Sequence, residues 1–448
     1  MKSVFRFSLG AVLAVVCVTA SMAQSPPPTG VLFENVRVFD GTALRLSAPS
    51  NVLVVGTTIS AISVAPIAVP PGLALTTIAG GGRTLMPGLI DNHVHITMSA
   101  SSQRDLIDPQ VTPELLQARA TEEAGQMLLR GFTSVRDLGG PIFELKAAID
   151  QGKTPGPRIY PSGAMISQTS GHGDSRLPTE RSRRFGGNVS RGELLGANFI
   201  ADGRDEVLTA TRENLRGGAS QIKVMAGGGA ASAYDPLDVS QYTLDEMKAA
   251  VEAADDWGTY VTVHAYTPKS VRRAVEAGVK CIEHGQLLDE PTIKLLADRG
   301  IWLSLQALDE APESQTADVK AKKHQVVSGT DNAFKWALKH KVQLAWGTDF
   351  LFNPAQNKNQ NADILKLRQW FKPAALLRLV THDNAQLLAL SGLRNPYPGQ
   401  LGVVEAGALA DLLLVDGDPI SHLDLIGDPQ RNFLVIVKDG RVYKNTLP

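Results

Sequence analysis

Hydrophobic positions in this chain fall in short β-branched runs, each giving way to glycine or to a polar residue. Between Val31 and Met86 the runs are Val31-Leu32-Phe33, Val36-Arg37-Val38, Asn51 to Val55 and Ile59 to Val64, separated by turn residues, which predicts short strands. The far end returns to that pattern with Ala410 to Val415 and Phe433 to Val437, before the turn Lys438-Asp439-Gly440-Arg441. Both termini are therefore expected to build one small β domain, a sandwich over 24–86 and 397–448. Between them, apolar runs alternate with helical patterns, the signature of parallel βα units.

Counting those units narrows the fold. Strand-like runs end near His95, Asp137, Ser167, Met225, His264, His284, Leu305 and Asp349. Helical stretches lie between most of them: Pro113 to Arg130, Asp205 to Arg216, Leu244 to Asp256, Pro268 to Ala277 and Pro291 to Asp298, with Pro373 to Leu390 closing the set. Eight such strands predict an α/β protein with a (β/α)8 TIM barrel over 87–396, whose active site lies at the C-terminal strand ends. A doubly wound open sheet is disfavoured because no Gly-x-Gly-x-x-Gly turn follows the first strand.

Composition bounds the function. With 448 residues, 43% hydrophobic and 20% charged, the chain has ample material for a large core. Lys2 and Arg6 precede an apolar run from Phe7 to about Ala20 and a small-x-small site at Ser21-Met22-Ala23, so residues 1–23 are expected to be a secretory signal peptide. The expected location is periplasmic or secreted, with no stable membrane span after cleavage. Without that segment, 42 basic and 45 acidic residues remain, with Cys281 as the single cysteine. That excludes an internal disulfide, and no basic run suggests nucleic acid.

The candidate chemistry collects at strand ends. His93 and His95 end the run Gly88-Leu89-Ile90-Asp91-Asn92-His93-Val94-His95; on a strand they share one face roughly 7 Å apart, suiting a common metal ion. His264, His284 and Asp349 end three later runs, and Lys223 sits inside Ile222-Lys223-Val224. If Ile222 and Val224 face the helices, Lys223 points into the barrel, where an ammonium must be paired or neutralised. A neutral amine can add carbon dioxide, giving a carbamate able to bridge two divalent metals. By itself a strand lysine is more often salt-bridged or snorkelling.

Together these residues resemble the metal-dependent amidohydrolase superfamily. The chain is most similar to its binuclear Xaa-Pro dipeptidase and carboxypeptidase-like branch, also labelled imidazolonepropionase-like, which includes ochratoxin A-hydrolysing amidohydrolases. The matching pieces are Pro87 to His95, Gly171-His172-Gly173-Asp174, Gln221 to Gly229, His264-Ala265-Tyr266-Thr267-Pro268, Ile282-Glu283-His284-Gly285 and Gly347-Thr348-Asp349. The resemblance implies two divalent metal ions, zinc the expected one. His93, His95 and Asp349 would hold the first and His264 and His284 the second, bridged by N6-carboxylated Lys223 and a hydroxide. Hydroxide would attack an amide carbonyl, with Asp349 carrying the proton to the leaving amine.

The same resemblance implies that His172 polarises the scissile carbonyl and that Tyr266 binds a substrate carboxylate. Arg136, at the end of the second strand, is a further carboxylate candidate because guanidinium matches carboxylate geometry; an ion pair with a neighbouring acid is its other role. The long loop after the third strand, to about Arg191, reads as pocket wall or lid, and Gly227 to Tyr234 as close-approach loop, moving cover or plain hinge. Phosphate binding there lacks the following Lys-Ser/Thr. His324, His340, His382 and His422 are expected in solvated or capping roles.

The expected function is therefore a binuclear zinc amidohydrolase removing a C-terminal, hydrophobic amino acid from dipeptides, N-acyl amino acids or aryl amides such as ochratoxin A. Its partner is a small-molecule amide, and branch resemblance implies a homo-oligomer. The alternatives are a cyclic amide hydrolase of the dihydroorotase or hydantoinase kind and an imidazolonepropionase-like hydrolase. A deaminase would need a glutamate where Ala265-Tyr266-Thr267 stands and has no use for Lys223. A non-enzymatic descendant would have lost ligands, and all six ligand positions are filled.

Overall fold

The computed structural model describes residues 29–232 and 234–447. The expected signal segment 1–23 and residues 24–28 of the expected β domain lie outside the described residues. Among the described residues, no helix is long and apolar enough to cross a membrane.

Thr29–Val38, Ser50–Val55, Thr58–Ser63, Ala74–Ala79 and Thr84–Pro87 join Leu412–Val415, Phe433–Lys438 and Arg441–Asn445 in one eight-stranded mixed sheet. The two sequence runs around Val31 and Val36 form a single strand. Its start pairs with Ser50–Val55 and Ala74–Ala79, and its end, beyond an irregularity between Phe33 and Val36, pairs with Thr84–Pro87. The sheet thus folds over an interior of Phe33, Val36, Ile59, Leu412, Leu414 and Val435. Arg158 of the barrel donates to Asp411 of this domain at 2.7 and 3.2 Å, tying the two layers together.

The barrel staves are Leu89–Val94, Phe132–Asp137, a divided third stave, Ile222–Met225, Val261–Ala265, Cys281–His284, Trp302–Leu305 and Leu344–Trp346. The third stave changes partners midway: Arg158–Pro161 pairs with the second strand, and Met165–Ser167 pairs with the fourth. A short extra strand, Asn198–Ile200, extends the sheet from Met165–Ser167. From the fourth to the eighth strand the parallel ladder runs in chain order.

Among the described residues no ladder pairs the eighth strand with the first. Side chains and one backbone bond tie that seam instead: Asn384 accepts from the Trp346 amide at 3.0 Å and donates to the carbonyls of Ile90 at 2.7 Å and Trp346 at 2.9 Å, Asp91 accepts from Thr348, and the Asp349 amide donates to the His93 carbonyl at 2.8 Å. Asn92 returns a bond to the Asn384 carbonyl at 3.0 Å.

The helices follow their sequence signals closely. Thr243 and Glu246 form a capping box at Leu244–Asp256, Pro268 opens Pro268–Ala277, and Gly278 ends it in the left-handed region. One stretch differs from expectation and another, read as helix-like, runs longer than its neighbours. Residues 373–390 are not one regular helix but Pro373–Arg378, a π-helical turn at Leu379–Asp383, and Asn384–Ala389. That wider turn directly precedes the seam asparagine. The lysine-rich stretch containing His324 and His340 forms the long helix Ala317–His340, packed through Val326, Ala333, Phe334 and Ala337.

Candidate active site

The barrel brings His93, His95, Lys223, His264, His284 and Asp349 to one end of its staves, all buried or nearly so. His93 Nε2 and His95 Nε2 stand 3.2 and 3.5 Å from Asp349 Oδ1, and His284 Nε2 is 3.9 Å from Asp349 Oδ2. The local backbone is specialised for this. Asp349 and His284 are non-glycine residues with φ of 53° and 78°, a strained conformation that costs on the order of 1–3 kcal/mol each. Gly347 admits no side chain: a Cβ there would lie 2.3 Å from the His93 amide nitrogen.

Hydrogen bonds fix which ring nitrogens carry protons. His95 Nδ1 lies 3.2 Å from the Gly139 carbonyl and His264 Nε2 lies 3.0 Å from the Gly228 carbonyl. A carbonyl only accepts, so each of those nitrogens donates and the opposite nitrogen is left with a lone pair. His284 Nδ1 does the same toward Gln306 Oε1 at 2.8 Å. His93 Nδ1 lies 3.0 Å from the Glu283 carboxylate, and its buried Nε2 has no hydrogen-bond partner. Lone pairs of His93, His95 and Asp349, with ligand atoms all within 4.8 Å of one another, therefore converge without a proton between them. That donor set fits a divalent cation.

Electrostatics agree. Burial holds the His93 imidazolium down to about 4 and also depresses His264 and His284, so all three rings are neutral at pH 7. Asp349 is pushed up by burial, but the surrounding imidazoles outweigh this and hold it well below the usual carboxylate range. Lys223 is 1% exposed, has no carboxylate within 4.0 Å among the described residues, and is pulled down by burial. Its flanking Ile222 and Val224 are fully buried on the helix side, as the alternation predicted.

His172 joins this group from the loop after the third stave. Its ring stacks on His264 with centroids 4.0 Å apart, and Tyr266 packs edge-on to His264 and stacked on His284. The glycine-rich loop beside it is a fastened wall: Asp235 accepts from the Gly229 amide at 2.7 Å, and Lys322 donates to the Ser232 carbonyl at 2.5 Å. His324, His340 and His382 each meet a carboxylate outside the site, at 2.8 to 2.9 Å.

Arg136 corrects an expectation. It does not face a substrate. Its side chain is fully buried, donating to the Asn92 carbonyl at 2.7 Å, to the Tyr260 hydroxyl at 3.1 Å and to Glu283 Oε1 at 2.6 Å. A pleated strand sends Arg136 inward between neighbouring staves, so the guanidinium meets the barrel's own acid. Asp235 and Gln306 carry no sequence signal, and Glu283 stands in a quoted motif without a role there, because each acts through a residue distant along the chain. Lys323 was also missed: it lies partly buried, feels Asp349, Asp309 and Asp363, and pairs with no acid within 4.0 Å among the described residues.

Known proteins match this arrangement. Residues 84–444 fit the profile of the Amidohydrolase family. Ochratoxinase from Aspergillus niger is 31% identical over 371 residues, covering 80% of this chain and 75% of its own. A prolidase crystallised with N-methylphosphonate-L-proline is 30% identical with a TM-score of 0.83, covering 93% of this chain and 100% of the other. A Xaa-Pro dipeptidase with methionine bound in its active site is 27% identical with a TM-score of 0.78, again covering 93% and 100%. The chain belongs to the amidohydrolase family and is a hydrolase of amide bonds.

Proposed function

We propose that the protein is a binuclear zinc amidohydrolase that releases a C-terminal hydrophobic amino acid from dipeptides, N-acyl amino acids or aryl amides such as ochratoxin A. The observation that carries it is the convergence of unprotonated His93 Nε2, His95 Nε2 and Asp349 Oδ1 beside His264, His284 and a buried Lys223 that has no carboxylate partner among the described residues. Zinc in such a set would polarise the amide carbonyl and bring the pKa of a water to about 7. Burial disfavours the charged form of Lys223, which supports N6-carboxylation of its amine as the bridging anion. The approach of Asp349 to His93 and His284 supports a role as proton carrier for the leaving amine.

His172 and Tyr266 line the approach to the second histidine pair, supporting carbonyl contact by His172 and carboxylate contact by the Tyr266 hydroxyl. With Arg136 engaged in the barrel, Lys323 is the cation available to a substrate carboxylate. The prolidase and ochratoxinase relatives support amides whose leaving group is an amino acid. We also propose export through residues 1–23 and assembly as a homo-oligomer, to be checked by cell fractionation and light scattering.

Zinc-loaded protein assayed on a panel of N-acyl amino acids, dipeptides and ochratoxin A should release the C-terminal amino acid, fastest when it is hydrophobic. Turnover of cyclic amides with no hydrolysis on that panel would overturn the reading.

A further inference from the structure

Glu283 is fully buried between the two halves of the site, and its two oxygens have different surroundings. Oε1 is saturated: it accepts from Arg136 at 2.6 Å, from the Thr262 hydroxyl at 2.5 Å and from the Cys281 thiol at 3.3 Å. Oε2 is buried with no hydrogen-bond partner among the described residues, and the nearest polar hydrogen carrier is the His93 ring, whose Nδ1 lies 3.0 Å away. Gln306 Nε2 reaches the same ring nitrogen at 3.4 Å. The carboxylate is nearer and can only accept, so it assigns the His93 proton to Nδ1.

We propose that Glu283 is a positioning residue for the first metal site: it holds His93 with its proton on Nδ1 and its Nε2 bare toward Asp349, while Arg136 clamps Glu283 in place. The inference rests on the metal reading above and extends it to two residues that are not themselves among the proposed metal ligands. An ion pair serving only the core would have no reason to leave one oxygen directed at a ligand histidine. Arg136 adds a second tie, because its Nε donates to the carbonyl of Asn92, the residue preceding His93. Glu283 also directly precedes His284, so a single stretch of the sixth strand supplies a ligand on one side and orients a ligand on the other. Carboxylates behind metal-bound histidines fix ring orientation and raise ligand basicity, and removing them commonly weakens metal binding 10–100-fold.

Two variants test this. Glu283→Gln keeps the size but can present an N–H to His93, which would force the ring proton onto Nε2. Glu283→Asp keeps the charge beside Arg136 and withdraws the carboxylate from His93. Zinc binding, read by chelator competition at graded free zinc, should weaken about 10–100-fold for one of the two ions in each variant. The visible spectrum of the cobalt-substituted protein should change accordingly. If Glu283→Gln does not fold, Glu283→Asp gives the result alone. Variants that bind both ions as tightly as wild type, with unchanged cobalt spectra and only a lower melting temperature, would overturn the proposal. A wild-type protein without tight zinc would instead overturn the metal reading, before any variant is compared.

Discussion

Asp235 Oδ2 stands 3.0 Å from His172 Nδ1 and 2.7 Å from the Gly229 amide, so one buried carboxylate fixes both the histidine and the wall beside it. Gly229 has no room for more: a Cβ there would fall 1.9 Å from the His172 ring. If His172 meets the developing charge on the substrate carbonyl, His172→Ala should lower kcat by about 10²–10³. Gly229→Ala should approach that loss by displacing the ring, and Asp235→Asn should lose less. Steady-state kinetics with melting curves would check this; a normal kcat in Gly229→Ala would refute the role.

Arg136→Ala should destabilise the fold rather than alter substrate preference. It leaves Glu283 buried without its strongest partner, a loss on the order of 3–5 kcal/mol. Chemical denaturation measures the loss. Lys323→Gln should do the opposite, leaving stability nearly unchanged while raising KM for substrates with a free carboxylate relative to their amides. A selective KM rise in an Arg136 variant would reverse the two assignments.

Lys223→Ala should bind fewer than two zinc ions per chain and lose most turnover, because nothing else among the described residues stands ready to bridge them. A small carboxylic acid such as acetate or propionate should restore part of the activity by occupying the vacated space. Metal analysis showing two tightly held zincs with unimpaired turnover would exclude the bridging role.

Acid dependence should be visible at Asp363, away from the chemistry. Burial pushes this carboxyl up to about 6, against Lys366, with Asp309 and Asp91 reinforcing the rise; Lys323 also faces it. A raised carboxyl means that the folded state holds the proton more tightly than the unfolded state. Its stabilising contribution is complete below pH 3.8 and is lost as pH rises through about 6. The span corresponds to at most about 3 kcal/mol. Asp363→Asn does not titrate, so the wild-type melting temperature minus that of the variant should fall between pH 4 and 7. A flat difference would show that the carboxyl is not shifted.

Much of this could be read from the chain because its signals are local. His93-x-His95 and the strand-end positions of His264, His284 and Asp349 follow from alternation along single strands, and the capping box at Thr243 and Glu246 lies within one helical turn. What escaped depends on pairing between distant segments. Arg136 looked like a substrate ligand because nothing near it in sequence reveals Glu283, 147 positions away. Asp235 sits in a loop whose glycines suggest motion, and only its contacts with His172 and Gly229 show it to be pinned. Ala74–Ala79 was missed because its side chains are mostly exposed and give little apolar signal. The π turn before Asn384 interrupts a stretch whose composition reads as continuous helix.

The Asn384 seam changes what a cation at the first site would mean for the barrel. His93 and His95 belong to the end of the first stave and Asp349 follows the eighth, so the three donors straddle a junction that has no strand ladder among the described residues. An ion there would act as a rivet across the gap, linking catalysis and barrel closure in the same few atoms. Loss of the ion should then be felt first as faster amide exchange along Leu344–Trp346, on the far bank of the seam from the histidines.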